Sequence, residues 1–397
     1  MFYGILKGNF YYMIEVKEVT TRKMRKEFLN FPLKLYENCE QFVPPLYGDE
    51  KQIFNKNYMY YDTCEAVYFN AYEDGKMVGR ISGIIQHQAI EKTGENRVRF
   101  TRFDSIDKQE VANALFDAVI AWAKAKGMQK ICGPLNFSDL EREGLLIWGF
   151  EELSTFEEQY TYDYYPNLIE NYGFNKEVDW VEYKIYPAKV IDPKVKKVSE
   201  MVQKRYKLRI VNEKSTRRLI NKYKEGIFDC LNQGYKDLYG VVPYTDKMKK
   251  NLIKQFKLIL DLHFIVVVVD ENDRVVGFGL AFPSMSKAVQ KCKGKLFPFG
   301  IFHILKAVKH PKIYDFGLIS VLPEYQNKGV NGIILEQVMQ RMIDFKLEYC
   351  ETNLNLETND KVQAQWKFFE HEYHKRRRSY LLEFDGMVEK SDVPNAE

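Results

Sequence analysis

The stretch Asp315-Phe-Gly-Leu-Ile-Ser-Val-Leu-Pro-Glu-Tyr-Gln-Asn-Lys-Gly-Val-Asn-Gly-Ile-Ile-Leu-Glu336 decides the fold. An apolar strand runs through a proline turn into a glycine-containing loop, and the loop opens a helix. The first backbone N–H groups of a helix have no partner within the helix, and the helix dipole adds about half a positive charge at that end. This order of elements predicts an anion site, where Gly329 and Gly332 let the backbone approach a phosphate closely.

The composition is that of a globular protein with two domains. The 397 residues exceed the size at which a single core usually stops growing. The net charge of +4 is close to balance, which argues against a dedicated nucleic-acid-binding or membrane-surface protein. The six cysteines include no Cys-x-x-Cys pair, so neither a zinc site nor a disulfide framework is indicated. We therefore expect no metal. We also expect a cytoplasmic protein, since we see no signal-peptide pattern and no bilayer-length apolar run.

The chain repeats one order of elements at an offset of about two hundred residues. Each copy begins with a β-hairpin signal around a polar turn, at residues 66–85 and 263–282. A strand, a helix, a strand, a helix and a last strand follow in both copies. We predict two α/β domains, residues 1–186 and 198–397, each a mostly antiparallel mixed sheet flanked by helices. The Lys- and Pro-rich residues 187–197 would form the linker.

The order strand, Gln326-x-x-Gly329-x-Asn331, helix resembles the acyl-CoA-binding loop of the GNAT superfamily of acetyl-CoA-dependent N-acetyltransferases. The family pattern is Gln/Arg-x-x-Gly-x-Gly/Ala, so Asn331 departs from it. Residues 167–183 also resemble the GNAT ending Leu-Tyr-Glu-Lys-x-Gly-Phe with its final strand. The resemblance covers about residues 14–384 and implies a tandem GNAT protein with a degenerate first copy. There Ser105-Ile-Asp-Lys-Gln-Glu110 replaces the loop, without glycine and with two acids that would repel a pyrophosphate.

The resemblance implies acetyl-CoA, or another acyl-CoA, as co-substrate of the second copy. The strand before the loop would pair its free backbone groups with the pantetheine arm, and the loop amides would face the pyrophosphate. The predicted cofactor contacts are Ile319, Val321, Gln326, Lys328, Gly329, Val330, Asn331, Gly332 and Asn359.

The catalytic side chains are less clearly marked. GNAT enzymes often carry a proton-donating tyrosine on the last helix, seven residues after an asparagine. Counting from Asn359 reaches Trp366, whose indole cannot protonate a thiolate. We predict Tyr373, one to two turns further on, as general acid, with Tyr380 behind it. Glu324 in the loop is the predicted general base, and Glu351 and His303 remain open alternatives.

Two further segments of the sequence could belong to the site. The turn-rich residues 133–150 and the aromatic cluster that follows them could line a pocket at the domain interface, or could pack in the core and loops. Lys375-Arg-Arg-Arg378 is either a solvated turn or a contact for the 3′-phosphate of CoA or for an acidic substrate.

The predicted function is N-acyl transfer, most simply acetyl transfer, by direct attack of an acceptor amine on the thioester. The acceptor would be a small-molecule or peptide amine, with no nucleic acid or membrane as partner, and the protein a monomer or homodimer. Two alternatives stay open. One is a catalytically inactive CoA- or metabolite-binding protein, and the other is a tRNA-dependent aminoacyl transferase with the same tandem fold.

Overall fold

The computed structural model describes residues 14–256 and 259–384. The strands within these ranges are β1 Ile14–Glu18, β2 Cys64–Glu73, β3 Lys76–Gln86, β4 Arg97–Ser105, β5 Lys130–Gly133, β6 Leu145–Trp148, β7 Asn175–Ile185, β8 Arg209–Ile210, β9 Ile265–Val269, β10 Val275–Pro283, β11 Ile313–Val321, β12 Tyr349–Glu351, β13 Asn355–Leu356 and β14 His371–Glu383. The helices are α1 Arg22–Leu35, α2 Tyr47–Glu50, α3 His87–Thr93, α4 Gln109–Ala125, α5 Tyr165–Tyr172, α6 Pro193–Tyr206, α7 Thr216–Tyr235, α8 Asp246–Phe256, α9 Ser286–Lys291, α10 Gly300–Lys309, α11 Val330–Asp344 and α12 Asp360–Trp366.

All these strands join one mixed, mostly antiparallel sheet, which confirms the predicted fold class. The order along the sheet is β1-β2-β3-β4-β5-β14-β7-β12-β11-β10-β9-β8, with β6 and β13 beside it. The two halves exchange their last strands, because β14 pairs with β5 of the first half and β7 pairs with β12 of the second. The exchanged strands pair with each other at the centre, and the copies therefore share one sheet.

The predicted linker, residues 187–197, runs directly into α6. Asp192 caps this helix by accepting a hydrogen bond from the backbone N–H of Lys194, and Pro193 occupies the first turn. The short connection places α6 against the start of α11. The domain boundaries themselves stay a prediction.

The basic run predicted as a solvated turn or phosphate contact instead forms the middle of β14, at the centre of the sheet. Alternate residues of a strand point to opposite faces. Lys375 and Arg377 are fully buried on one face, where both form ion pairs with Glu182. Arg376 and Arg378 pair with Asp179. The run is therefore committed to contacts between the halves.

Each half packs one long helix on the sheet as the helical spacing predicts. α4 buries Val111, Leu115 and Val119 in the core of the first half. α11 buries Ile334 and Val338 in that of the second. Each helix begins beside the end of the strand before it, so the two strand-to-helix junctions can be compared directly.

Candidate functional site

The loop of the second half has the local geometry that the sequence predicts. β11 ends at Val321, a 3₁₀ turn follows at Pro323–Tyr325, and Gly329 precedes the first turn of α11. Gly329 has a φ of +83°, and a Cβ built there would lie 2.9 Å from Cγ2 of Val202. A side chain is therefore excluded by both backbone conformation and space. The N–H groups of the first turn of α11 are left for an anion.

β11 and β12 separate just before this loop. They pair only over Ile313–Asp315, and a register shift interrupts the pairing of β10 with β11 between Leu280 and Ala281. At Ile319 the hydroxyl of Tyr235 replaces a neighbouring strand, donating to the carbonyl at 2.9 Å and accepting from the N–H at 3.3 Å. Tyr235, the last residue of α7, thus occupies the backbone groups of Ile319, one of the residues predicted to pair with the pantetheine arm.

A cavity of about 750 Å³ extends from the separated strands. One end reaches the loop at Gln326, Gly329 and Asn331. A long apolar wall comes from α7, α8 and β10, and includes Phe228, Leu252, Phe256, Leu280 and Phe282. Carboxylates of the first half line another part of the cavity, so the anion loop and an acidic region share one cavity.

We call Glu143, Glu157 and Glu158 the acid end of the cavity. Glu143 and Glu158 are only 7% and 4% exposed, and Oε2 of each has no hydrogen-bond partner among the described residues. Burial raises the pKa of both, with repulsion from Asp139 and Glu182 respectively adding to the effect. Burial likewise raises the pKa of Glu157. A cationic group that entered here would supply the missing partner and favour the ionised form of these carboxyls.

Charged residues lie beside Glu158. The closest is Arg377, whose Nε is 3.8 Å from Oε2 but 2.7 Å from Oε1 of Glu182. Arg142 donates to the backbone carbonyls of Val43 and Phe156 rather than to a carboxylate. Both guanidinium groups are thus held chiefly by other partners, so Glu158 keeps a free oxygen.

The equivalent place in the first half is filled. β4 pairs with β5 over Arg97–Arg99 as β11 pairs with β12, but only three residues, 106–108, separate β4 from α4, against eight, 322–329, in the second half. The cavity beside β4 is about 20 Å³. Two ion pairs fill it, Arg80 with Asp104 at 2.7 Å and Arg102 with Glu50 at 3.0 Å. The first copy therefore has neither the long loop nor the space for a cofactor.

Six of the nine predicted cofactor contacts line the cavity, namely Ile319, Val321, Gln326, Gly329, Asn331 and Asn359. Lys328, Val330 and Gly332 lie outside its lining. Lys328 Nζ lies over the rings of Tyr206 and Tyr325, at 5.4 and 5.3 Å from their centroids.

The structure does not bring the predicted catalytic residues to the cavity. α12 ends at Trp366, so Tyr373 lies in β14 rather than on a helix, where it pairs with Tyr183 and stacks on Trp148 with ring centroids 4.6 Å apart. Glu324 forms a surface ion pair with Arg274 at 3.0 Å. Neither side chain lines the cavity, because the alternation along β14 and the turn after β11 direct both elsewhere.

The alternative residues are also placed away from the cavity. Tyr380 is buried and donates to Glu170 at 3.0 Å. Glu351 is paired with the ammonium group of Lys375, and His303 lies on α10. Trp366 does line the cavity, and its indole N–H donates to Asn355 at 3.2 Å.

Sequence reasoning missed Tyr235 and the acid end. The turn-rich residues 133–150 pointed to this region of the chain. The carboxylates of the acid end, however, lie directly before Gly144 or after the segment. The aromatic cluster that follows packs instead in the first core, through Tyr160, Tyr162, Tyr164 and Tyr165.

One buried group has the composition of a metal site. Side-chain atoms of Glu182, Glu351 and His374 lie within 4.8 Å of one another. The ammonium group of Lys375 already pairs with both carboxylates, and Arg377 pairs with Glu182 as well, so two cations balance the two carboxylates without an ion. We therefore assign this group to the sheet and not to a cofactor.

No family model matches the sequence. The chain is 26% identical over 362 residues to Protein YghO of Escherichia coli strain K12, covering 89% of this chain and 92% of that protein. It is 27% identical over 317 residues to the bacterial ceramide synthase of Caulobacter vibrioides, covering 77% and 80%. Among the described residues, no helix combines the length and apolarity needed to cross a bilayer.

Two solved structures share the fold. A tandem GNAT protein from the clavulanic acid biosynthesis pathway matches with a TM-score of 0.53 and 10% identity, over 95% of this chain and all of that one. A GCN5-related glucosamine N-acetyltransferase region of a fungal multi-domain β-N-acetylglucosaminidase matches with a TM-score of 0.54 and 10% identity, over 93% of this chain and 38% of that one. The chain therefore has the tandem GNAT fold, with a degenerate N-terminal copy.

Proposed function

We propose that the protein is an acyl-CoA-dependent N-acyltransferase whose acceptor is a primary amine. The observation that carries this proposal is the single cavity that joins the N-terminus of α11 to the acid end. A donor with an anionic head and an acceptor with a cationic head would then meet inside one cavity. Holding two reactants in attack geometry is itself worth several kcal/mol of barrier lowering.

The donor side is supported by the loop and the separated strands. The first-turn N–H groups of α11 would hold the pyrophosphate of CoA, with Gly329 allowing its close approach. The pantetheine arm would pair with β11 at Ile319 after the Tyr235 hydroxyl has moved away. The acyl group would then extend along the apolar wall. An acetyl group would leave most of that wall uncovered, which favours a longer acyl chain.

The acceptor side is supported by the acid end. An amine enters as the ammonium ion and must lose a proton before its nitrogen can attack. A buried carboxylate with a raised pKa is a strong enough base to take that proton near neutral pH. We assign this role to Glu158 and assign Glu143 to holding the ammonium group.

The chemistry balances without a covalent enzyme intermediate. The amine nitrogen forms a bond to the carbonyl carbon of the thioester, and the carbon–sulfur bond breaks. Glu158 accepts the proton that the ammonium loses and passes it to solvent, and the second proton, which the nitrogen loses after attack, goes to the departing thiolate to give free CoA. The products are an amide and CoA in equal amounts.

The relative named bacterial ceramide synthase supports an amphiphilic acceptor. A long-chain amine has a cationic head that suits Glu143 and Glu158 and a tail that suits the apolar wall. This chain covers 80% of that relative at 27% identity. A similarity of this degree supports a class of acceptor, the long-chain amines, but does not identify one acceptor compound.

The test is product analysis over a matrix of substrates. Acetyl-, octanoyl- and palmitoyl-CoA are each combined with a short primary amine and with a long-chain amino alcohol, and amide and free CoA are measured by mass spectrometry. Glu158→Gln should abolish amide formation while acyl-CoA still binds. Glu151→Gln, which changes an exposed carboxyl outside the cavity, should behave as the unmodified protein does. An active Glu158→Gln variant would refute the assignment of the base.

A second candidate is a binding protein that has lost the chemistry. Trp366 favours it, because this side chain stands where many GNAT enzymes have their tyrosine and its N–H is bound to Asn355. Acyl-CoA binding with no amide from any amine in the matrix would support this candidate over the transferase.

A further inference from the structure

The surface formed by α9, α10 and the turn between them is both apolar and basic. Phe297, Phe299 and Phe302 are 80, 73 and 65% exposed, and Leu305 is 47% exposed. Single exposed apolar residues are ordinary, but three phenylalanines and a leucine within nine residues form a patch. We call these four side chains the phenylalanine patch.

Cations surround the phenylalanine patch. No aspartate or glutamate occurs between Asp273 and Asp315. The segment carries seven lysines, all exposed, and two of them have acidic partners, Lys293 with Glu37 at 4.0 Å and Lys312 with Glu348 at 3.3 Å. The lysines without an ion pair to any described residue are Lys287, Lys291, Lys295, Lys306 and Lys309.

We propose that this surface docks the protein on a bilayer that contains anionic lipids. Exposed aromatic residues interleaved with lysines are typical of surfaces that lie in the membrane interface, where rings enter the headgroup region and ammonium groups contact lipid phosphates. The chain's overall charge predicted no membrane partner, but net charge averages over the whole surface and does not register a local patch.

Other partners fit this surface less well. Protein interfaces are depleted of lysine, whereas here lysines border the rings. A nucleic acid would use the cations but would leave the phenylalanines in water. Only an anionic bilayer pairs the charges and removes the rings from water at once.

The phenylalanine patch lies on the outer side of a small core whose inner side is the cavity wall. Met285, Val289 and Ile304 of this core pack with Phe282, and Phe282 lines the cavity. Leu280 likewise packs against this core and lines the cavity. Docking would thus bring the apolar wall next to the membrane, where long-chain substrates are found. The docking itself does not depend on the proposed function, since it is tested without acyl-CoA.

The test is flotation of the full-length protein with vesicles of phosphatidylcholine alone and with an equal part of phosphatidylglycerol. We expect binding to the anionic vesicles, at least tenfold weaker binding to the neutral ones, and weakening by salt. Replacing Lys295, Lys306 and Lys309 together by Gln should weaken binding on the order of 100-fold, because each lysine near an anionic surface contributes roughly a fivefold effect.

Two matched controls separate this surface from general effects. The triple variant Phe297→Ser, Phe299→Ser and Phe302→Ser should lose vesicle binding, whereas Phe368→Ser, at a residue 83% exposed elsewhere, should not. The lysine variant is matched by replacing Lys23, Lys26 and Lys34 on α1 by Gln, which removes the same charge.

Four outcomes would overturn the proposal. They are absence of binding to anionic vesicles, equal binding to neutral ones, equal loss in the control variants, and a change of oligomeric state in the phenylalanine variant. The last would assign the surface to a second copy of the chain.

Discussion

Replacing Gly329 by Glu should weaken acyl-CoA binding on the order of 100-fold. Gly329 has a φ of +83°, and any Cβ would meet Val202 at 2.9 Å. The left-handed backbone alone costs a residue with a Cβ about 1–2 kcal/mol. The carboxylate would also stand at the N-terminus of α11, where the proposal places the pyrophosphate.

The charge effect is the larger one. Two unit charges about 6 Å apart at an effective dielectric constant of about 20 repel by about 3 kcal/mol. That corresponds to a loss of affinity on the order of 100-fold. Gly329→Ala carries only the backbone and steric costs, which lower the free energy of unfolding, so its affinity should fall by less than about tenfold.

Calorimetric titration with palmitoyl-CoA, together with thermal unfolding of each variant, makes the comparison. Gly94→Glu is the matched control, because Gly94 also has a positive φ, of +71°, but ends α3 with nothing within 4 Å of its Cβ position. This control should lose stability and keep its affinity. If folded Gly329→Glu binds the donor as tightly as the unmodified protein, the loop is not the anion site.

Three further predictions concern the cavity and the sheet centre. Tyr235→Phe should raise acyl-CoA affinity roughly fivefold, since the hydroxyl no longer competes for Ile319, and calorimetry showing weaker binding would contradict this. Folding stabilises the protonated form of Glu158. The resulting contribution to the free energy of unfolding is complete below pH 4.5, the ordinary pKa of this group, and is lost as the pH rises through its pKa in the folded protein. Urea unfolding should therefore find Glu158→Gln increasingly stabilised relative to the unmodified protein as pH rises, and a pH-independent difference would refute the raised pKa. Lys375→Met should cost about 3–5 kcal/mol of unfolding free energy by leaving Glu351 without its ammonium partner and Glu182 with Arg377 alone, against less than about 1 kcal/mol for Lys176→Met, and equal losses would contradict that role.

Local geometry could be predicted from the sequence because its causes are local. The turn before α11 needs a glycine at one position, and the spacing of apolar residues fixes which face of α4 and α11 is buried. The repeat added the prediction that one copy lacks the loop. The ion pairs of Arg80 and Arg102 that fill the first copy supply the physical reason.

The exchange of last strands could not be predicted in the same way. Whether β14 pairs with its own half or with β5 depends on contacts between residues about 250 positions apart. Lys375 and Arg377 look like a surface charge run until the partner Glu182 is placed opposite them. Tyr373 was expected on a helix for the same reason, since the pairing with β7 determines that the segment is a strand.

The acid end was hidden because it is assembled from two loops of the first half and faces a cavity of the second. Glu143 and Glu158 carry no motif, and only their burial without hydrogen-bond donors distinguishes them from other glutamates. Tyr235 likewise becomes informative only once its hydroxyl is seen on Ile319.

Product formation from purified protein, palmitoyl-CoA and a long-chain primary amine tests the proposed transferase most directly. We predict equal amounts of N-acyl amide and free CoA by mass spectrometry, with both products lost in Gly329→Glu and retained in Gly94→Glu. The absence of both amide formation and acyl-CoA binding, in protein shown to be folded, would contradict the assignment of the cavity to acyl transfer.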